Sequence, residues 1–271
     1  MTPTRYRVLS PRQVAGGKQV SVFAEATGDL QAQAAAAGTP LSVFIEEASM
    51  TEVRLRAFTP QREKGESDSA TVAALASLQA AGGLSDLVEV QTGAAVTSAQ
   101  WCGGEWLLNQ GSPQVEAVER LDLPDPLGSN PSAAHRASTG RPNLLLEVDD
   151  LNGLQNFQPD AERISALGRA TNTTGLVLYC RAAPAELGRA DLSFRAFGPL
   201  KGFLEDAASS NMCACLVAVL GERGLWPEDS FVLRAAQLQP GQPSLLTAQF
   251  SQPGEAVWVG GRAEVVRESQ S

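Results

Sequence analysis

Residues 53–60 read VRLRAFTP, and residues 192–199 read LSFRAFGP. Both segments alternate apolar and polar side chains, as a half-buried β-strand does. Both end in proline, which cannot continue a central strand. A loop and then an apolar run of helical length follow each segment, at 71–78 in the first copy and at 211–220 in the second. The chain therefore contains one structural unit twice.

The segments that precede the two strands also match each other. Residues 30–45 align with residues 164–179 without a gap, and each segment reads as a helix, a turn of small residues and a strand. Gly38 and Asn172 fall together at this turn, where a positive φ is useful. We therefore predict an α+β fold with two pseudo-symmetric lobes, at 1–127 and 139–271.

The segment between the two lobes, residues 128–138, is predicted to be a linker. It lies in a stretch rich in proline, serine and glycine, which is typical of loops. It carries His135, the only histidine of the chain. We expect this histidine to be a solvated linker residue and not a catalytic one.

Composition excludes several classes of partner. The net charge is −9, so the surface should repel nucleic acid and anionic membranes. Hydrophobic residues make up 43% of the chain, which is typical of a globular protein. The first eleven residues lack the apolar core of a signal peptide, and the longest apolar stretch, 212–220, is too short to span a bilayer. These features predict a cytoplasmic protein.

The cysteines give no sign of a metal site. Cys102, Cys180, Cys213 and Cys215 form no Cys-x-x-Cys pair, and one histidine is too few for a mixed ligand set. We expect reduced, buried thiols, and neither a metal nor a cofactor.

The loops before the two apolar helices carry the candidate functional residues. Free backbone N–H groups at a helix N-terminus attract anions, and pockets often form where two lobes meet. If both loops reach a cleft between the lobes, they could hold a small carboxylate from two sides. The simpler interpretation is that Asp68 and Asp206 are ordinary helix caps. The candidate ligand-binding residues on these loops are Ser67, Ser69, Ser209, Ser210 and Asn211.

The repeated strands and several further segments resemble the phenazine-biosynthesis (PhzF-like) family. These segments are ASTGRP at 137–142, which contributes Gly140 as a further candidate ligand residue, GQPSLL at 241–246 and VWVGGR at 257–262. The resemblance implies a fold like that of diaminopimelate epimerase, in which a mostly antiparallel sheet curls around a central helix in each lobe. It also implies a cytosolic protein, often a dimer, that isomerises or epimerises small acids by proton transfer without any cofactor.

The chain departs from the family pattern at the residues that carry this chemistry. Leu41 occupies the position of the family's catalytic glutamate, or Val43 does if the register is set by the following serine. Glu46 and Glu47 are nearby, but neighbours on a strand point to opposite faces, so at least one should face solvent. The family's Gly-His-Pro loop reads Asp-Ser-Ala at 68–70.

Three functions remain open from the sequence. The chain could be a catalytically degenerate homologue that binds a small acid, and this is the preferred hypothesis. It could be an active isomerase that uses Asp206 and Asp68 as its acid and base. It could also be a structural or interaction protein, such as a homodimer, whose aromatic anchors would be Trp101, Trp106 and Trp226.

Overall fold

The computed structural model describes residues 2–12, 14–118, 133–188, 190–226, 232–239, 242–250 and 254–266. No helix within these ranges is both long enough and apolar enough to cross a membrane. The helices are α1 (Leu30–Ala36), α2 (Asp68–Ala80), α3 (Leu151–Asn156), α4 (Ala161–Thr171) and α5 (Ser210–Glu222). The strands are β1 (Thr4–Val8), β2 (Lys18–Phe23), β3 (Leu41–Ala48), β4 (Glu52–Phe58), β5 (Leu87–Thr92), β6 (Ala95–Cys102), β7 (Glu105–Asn109), β8 (Gln114–Ala117), β9 (Ala133–Ser138), β10 (Pro142–Glu147), β11 (Gly175–Cys180), β12 (Leu192–Gly198), β13 (Phe203–Asp206), β14 (Val232–Gln237), β15 (Ser244–Gln249), β16 (Trp258–Gly261) and β17 (Ala263–Val265).

The first compact unit comprises Met1–Ser10, Gly16–Asn109 and Gly260–Ser271. Its strands follow one another in the order β17, β1, β2, β3, β4, β5, β6, β7. The pairs β2–β3 and β4–β5 are parallel, and the others are antiparallel. Helix α2 packs against β1, β2, β3, β7 and β17, so strands from both ends of this order contact the same helix. The sheet therefore curls around α2.

The second compact unit comprises Pro11–Ala15 and Gln110–Val259. Its strands follow the order β8, β9, β10, β11, β12, β14, β15, and β13 forms a hairpin with β12. The pairs β10–β11 and β12–β14 are parallel, and the others are antiparallel. Helix α5 packs against β8, β9, β10, β11 and β15. This sheet curls around α5 as the first one does around α2.

The two units repeat one topology. From β1 to β6 the pairs run antiparallel, parallel, antiparallel, parallel, antiparallel, and the series β9, β10, β11, β12, β14, β15 runs identically. The crossover helices also correspond, α1 with α4 and α2 with α5. Gly38 has φ 71° and Asn172 has φ 51°, as the aligned turns require. The predicted duplication and the α+β fold class are confirmed.

The arginine of the repeated strand forms an ion pair in both units. In the second unit Arg195 donates to both carboxylate oxygens of Glu205, at 2.7 and 2.8 Å, and its guanidinium lies 5.2 Å from the ring centre of Phe197. In the first unit Arg56, the aligned residue, lies 5.2 Å from the ring centre of Phe58. Arg56 also pairs with Glu63 at 2.8 Å, so the arginine of each repeated strand contacts a carboxylate and an aromatic ring.

The units divide the chain differently from the predicted boundaries. Strand β8 pairs with β9 in the second unit, with Gln114 opposite Ser138, although residue 114 was expected in the first lobe. Strand β17 pairs with β1 in the first unit, with Tyr6 opposite Val265, although residue 265 was expected in the second lobe. Each strand belongs to the same unit as the strand with which it pairs. The local sequence does not identify that partner strand.

The predicted linker at 128–138 is partly a strand. Residues 119–132 lie outside the described residues, but residues 133–138 form β9, and His135 lies opposite Leu145 of β10. The imidazole is half-buried, and burial, followed by the charge of Arg223, lowers its pKa. The expectation of a solvated linker histidine was wrong, because β9 inserts between β8 and β10.

Candidate functional site

Leu41, which we expect at the position of the family's glutamate, lies in the first unit. Strand β3 begins at Leu41, which is 6% exposed and pairs with Val20 of the parallel strand β2. The alternative position, Val43, is fully buried. In either register the side chain is apolar and packs into the core.

The two glutamates near the expected glutamate position lie at the end of β3. A bulge between Ile45 and Glu47 disturbs the pairing with β4, and both Glu46 and Glu47 are exposed. The carboxylate of Glu47 forms a 3.0 Å ion pair with Arg54. The prediction that at least one of these glutamates faces solvent is confirmed.

The N-terminus of α2 carries three of the candidate residues. Ser67 is the N-cap residue, but its side chain makes no capping hydrogen bond. Asp68 is the first residue of the helix, so it is not the cap that the simpler interpretation suggested. Ser69 is buried, at 5% exposure. A carboxylate in the first turn still stabilises the helix through its interaction with the helix dipole.

The N-terminus of α5 is built differently. Ser209 is the N-cap residue, and its hydroxyl accepts from the backbone N–H of Met212 at 3.4 Å. Asp206 ends β13 and accepts from the backbone N–H of Ala208 at 3.2 Å, so it forms a turn before the helix and does not cap it. The side chain of Gln237 donates to the backbone oxygen of Asp206 and accepts from the N–H of Ser209 at 2.8 Å. Asp206 and Ser209 are thus fixed together.

A chain of polar side chains leads from the start of α5 into the second unit. The amide of Asn211 donates to the hydroxyl of Thr139 and accepts from the amide of Asn143 at 3.1 Å. The oxygen of Asn143, a fully buried residue, accepts from the ammonium of Lys201 at 2.9 Å. The structure therefore joins the predicted residue Asn211 to three residues that were not predicted.

Lys201 is the ionisable group of this chain of contacts. Burial lowers its pKa to about 8, and the charge of Arg141 acts in the same direction, while Cys215 and Asp206 raise it. The sequence held two signals that went unused. Asn143 is a polar residue in the apolar strand PNLLLE, and Lys201 is one of only three lysines in the chain.

The remaining predicted residues take no clear part in the site. The backbone N–H of Gly140 donates to the hydroxyl of Ser138 at 3.0 Å, so it is already used. Its φ of 102° favours glycine for conformational reasons. Ser210 is 5% exposed at the start of α5.

The thiols of α5 are core residues, as predicted. Cys213 and Cys215 are both fully buried, and burial raises the pKa of Cys213 to about 12. A thiol with so high a pKa is a poor nucleophile and a poor proton acceptor at neutral pH. Among the described residues no three His, Cys, Asp or Glu side chains are placed to hold a metal ion.

A second polar cluster lies at the other end of α5. Arg223 donates to the carboxylate of Glu147 at 2.5 Å and to the hydroxyl of Tyr179 at 2.6 Å. Arg181 pairs with the same carboxylate at 3.1 Å. Burial raises the pKa of Tyr179 to about 12, so the phenol remains protonated. The cluster has a fully paired carboxylate and stabilises the fold at this end of the helix.

Comparisons with known proteins agree with the fold. A family model described as phenazine biosynthesis-like protein, PhzC-PhzF, matches residues 12–269. The chain belongs to this family. A PhzF family protein of Enterococcus faecalis has a solved structure with a TM-score of 0.76 and 20% sequence identity, covering 97% of this chain and 96% of that one. A PhzC/PhzF protein of Clostridium difficile, described as putative, also has a TM-score of 0.76, with 17% identity and coverage of 99% and 98%.

A curated relative extends the comparison. A protein of Deinococcus radiodurans named as an uncharacterized isomerase is 30% identical over 270 residues, covering 90% of this chain and 85% of the relative. Membership of the PhzF-like family, first indicated by the repeated strands, is therefore confirmed. The two solved structures are under 25% identical to this chain and support the fold alone.

Proposed function

We propose that this PhzF-like protein binds a small carboxylic acid and does not isomerise it. The observation that carries the proposal is the buried, apolar Leu41 at the position of the family's glutamate. Loss of a positioned general acid or base lowers a rate by about 10²- to 10⁴-fold. In the family pattern the loop Gly-His-Pro contains a histidine. This chain has Asp-Ser-Ala there, at 68–70, so the histidine is replaced as well. Two losses from one catalytic unit remove the mechanism.

The start of α5 supports the binding part of the proposal. The first turn of a helix offers free N–H groups and a positive partial charge to a carboxylate. Asn211 is held there by hydrogen bonds to Thr139 and Asn143, so its amide is oriented before a ligand arrives. A preorganised donor loses less entropy on binding than a mobile one.

A second candidate is an active isomerase that uses Asp206 with Asp68. The observation in its favour is the environment of Asp206, whose charge acts on the ammonium of Lys201. A lysine with a pKa of about 8 can exchange a proton near neutral pH. Turnover that depends on Asp206 would favour this candidate.

The interaction-protein hypothesis loses one of its anchors. Trp106 is 1% exposed and packs against Trp101, with ring centres 5.4 Å apart. A buried tryptophan cannot insert into a partner. Trp226 packs against Phe250 at the same distance. The homodimer stays a prediction.

Calorimetric titration with succinate, L-malate, L-glutamate and L-proline tests the proposal. We expect saturable binding of at least one acid. NMR of the recovered acid should show that it is unchanged. Asn211→Ala should weaken binding about 10-fold or more, because it removes an oriented hydrogen bond to a charged group. Asn152→Ala, in the exposed part of α3, is the matched control and should leave binding unchanged. Conversion of the acid, or no binding of any acid, would contradict the proposal.

A further inference from the structure

Lys201 is a half-buried cation without a carboxylate partner. Its ammonium donates to the oxygen of Asn143 at 2.9 Å, and Asn143 has no exposed surface. In the part of the chain that the structure describes, no carboxylate lies within 4.0 Å of this nitrogen. A neutral amide compensates a positive charge only in part, so withdrawing this ammonium from water is costly.

Arg141 and the first turn of α5 place positive charge near Lys201. Arg141, on the turn between β9 and β10, lowers the pKa of the lysine in addition to burial, which together bring it to about 8. Cys215 on α5 and Asp206 at the end of β13 act in the opposite direction, and burial is the largest influence on the pKa. The nearby first turn of α5 adds the positive end of a helix dipole. The positive charge of Arg141 and the dipole of α5 favour an anion beside the lysine.

The geometry leaves donors of Lys201 available. An ammonium has three N–H donors, and one of them is used by Asn143. The nitrogen lies against the backbone of β11, because a Cβ at Gly175 would lie only 3.0 Å from it. Arg141 is exposed, and so is Gly202, which follows Lys201 in the chain. The lysine can therefore donate to a ligand without releasing Asn143.

We infer that Lys201 binds the anionic group of a ligand beside the first turn of α5, with Asn143 holding its ammonium in place. The ligand is a small carboxylic acid, and in this respect the inference rests on the proposed function. An inorganic anion shares the recognised chemistry and is distinguished by the experiment. Binding of the anion supplies the opposite charge that the described residues do not place within ion-pair distance.

The three lysines of the chain, Lys18, Lys64 and Lys201, make a direct test practical. The protein is labelled with ¹³C at the lysine Cε, and the three signals are followed by NMR as the pH is raised. Lys201→Met identifies the signal of Lys201 by its loss. We expect one pKa of about 8 in the free protein. Saturating succinate, or inorganic phosphate, should raise this pKa by about 1 to 3, because an opposite charge stabilises the ammonium.

Calorimetry on variants gives a second measurement. Lys201→Met should weaken succinate binding about 10-fold or more, since a charge-assisted hydrogen bond is lost. Lys64→Met, at an exposed lysine of the first unit, should leave the affinity unchanged. Lys201→Arg keeps the positive charge and should retain more affinity than the methionine variant.

The possible results separate the inference from the proposed function. A Lys201 pKa that no anion raises would overturn the inference, even where calorimetry detects acid binding. A pKa raised by phosphate alone, with no binding of any carboxylic acid, would support the inference and contradict the proposed function. A pKa raised by succinate, with weaker binding to Lys201→Met, supports both.

Discussion

Arg195 shows how strongly a single residue of the repeated motif can stabilise one unit. Its side chain is 2% exposed, and besides Glu205 it donates to the backbone oxygens of Leu154 and Phe157, at 3.1 and 2.6 Å. Each of the three guanidinium nitrogens therefore donates a hydrogen bond. The aligned residue Arg56 pairs with Glu63 at 2.8 Å, but both side chains are more than one-third exposed.

This contrast predicts different costs for the same substitution. Arg195→Met should lower the free energy of unfolding by about 3–5 kcal/mol, because it leaves the carboxylate of Glu205 buried and unpaired. Arg56→Met, the matched control in the first unit, should change it by no more than about 1 kcal/mol. Urea unfolding followed by circular dichroism measures both. Equal effects of the two substitutions would contradict the account of the buried pair.

The candidate site illustrates what single residues reveal in a sequence. The sequence alone allowed the prediction that Leu41 stands at the position of the family's glutamate, because a residue type in a known pattern is a local property. The contact between Lys201 and Asn143 was not readable, because it joins two residues 58 positions apart. Their residue types were signals at each position, an asparagine in an apolar strand and a rare lysine, but they did not show that the two side chains meet.

At the level of elements, the helices owe their start points to different residues. The N-cap residue of α4, Asp160, accepts from the backbone N–H groups of Glu162 and Arg163, at 2.9 and 3.0 Å. The N-cap residue of α2, Ser67, makes no such bond with its side chain. Serine and aspartate at an N-cap therefore differ here in what they contribute, although both fit the same sequence rule.

Removing each cap tests this difference. Asp160→Ala should lower the free energy of unfolding by about 1 kcal/mol, because two N–H groups lose their acceptor. Ser67→Ala should change it by less than about 0.5 kcal/mol, as a surface substitution without a lost contact does. Denaturant unfolding in the absence of any acid is the measurement. A larger loss for the serine variant would show that its hydroxyl has a structural role.

Sequence patterns predicted the elements better than their partners. The apolar runs at 71–78 and 211–220 lie inside α2 and α5, and the turns at Gly38 and Asn172 have the expected positive φ. Strand β9 was predicted to be linker, and β8 and β17 were placed in the wrong lobe. Short strands are stabilised by their pairing with distant segments, which local sequence does not show. Alternation within four or three residues carries too little information to identify that pairing.

For the whole molecule, the scaffold of the family is present, and we propose that its chemistry is not. Both units keep the duplicated topology, the central helix and the arginine of the repeated strand. Leu41, which we expect at the position of the proton-transferring acid, is apolar and buried. A fold alone does not establish an activity, so the family's scaffold fits a binding protein as well as an isomerase.

Hydrogen exchange at carbon tests the central claim most directly. The protein is incubated in D₂O with succinate, L-malate, L-glutamate and L-proline, and deuterium incorporation is followed by mass spectrometry. An Asp68→Asn/Asp206→Asn double variant is the control, because these are the two acids on which the alternative isomerase depends. We predict that the protein and the double variant both leave the acids at the uncatalysed rate of exchange. Exchange that is present with the protein and absent with the double variant would contradict the account and assign the catalysis to Asp68 and Asp206.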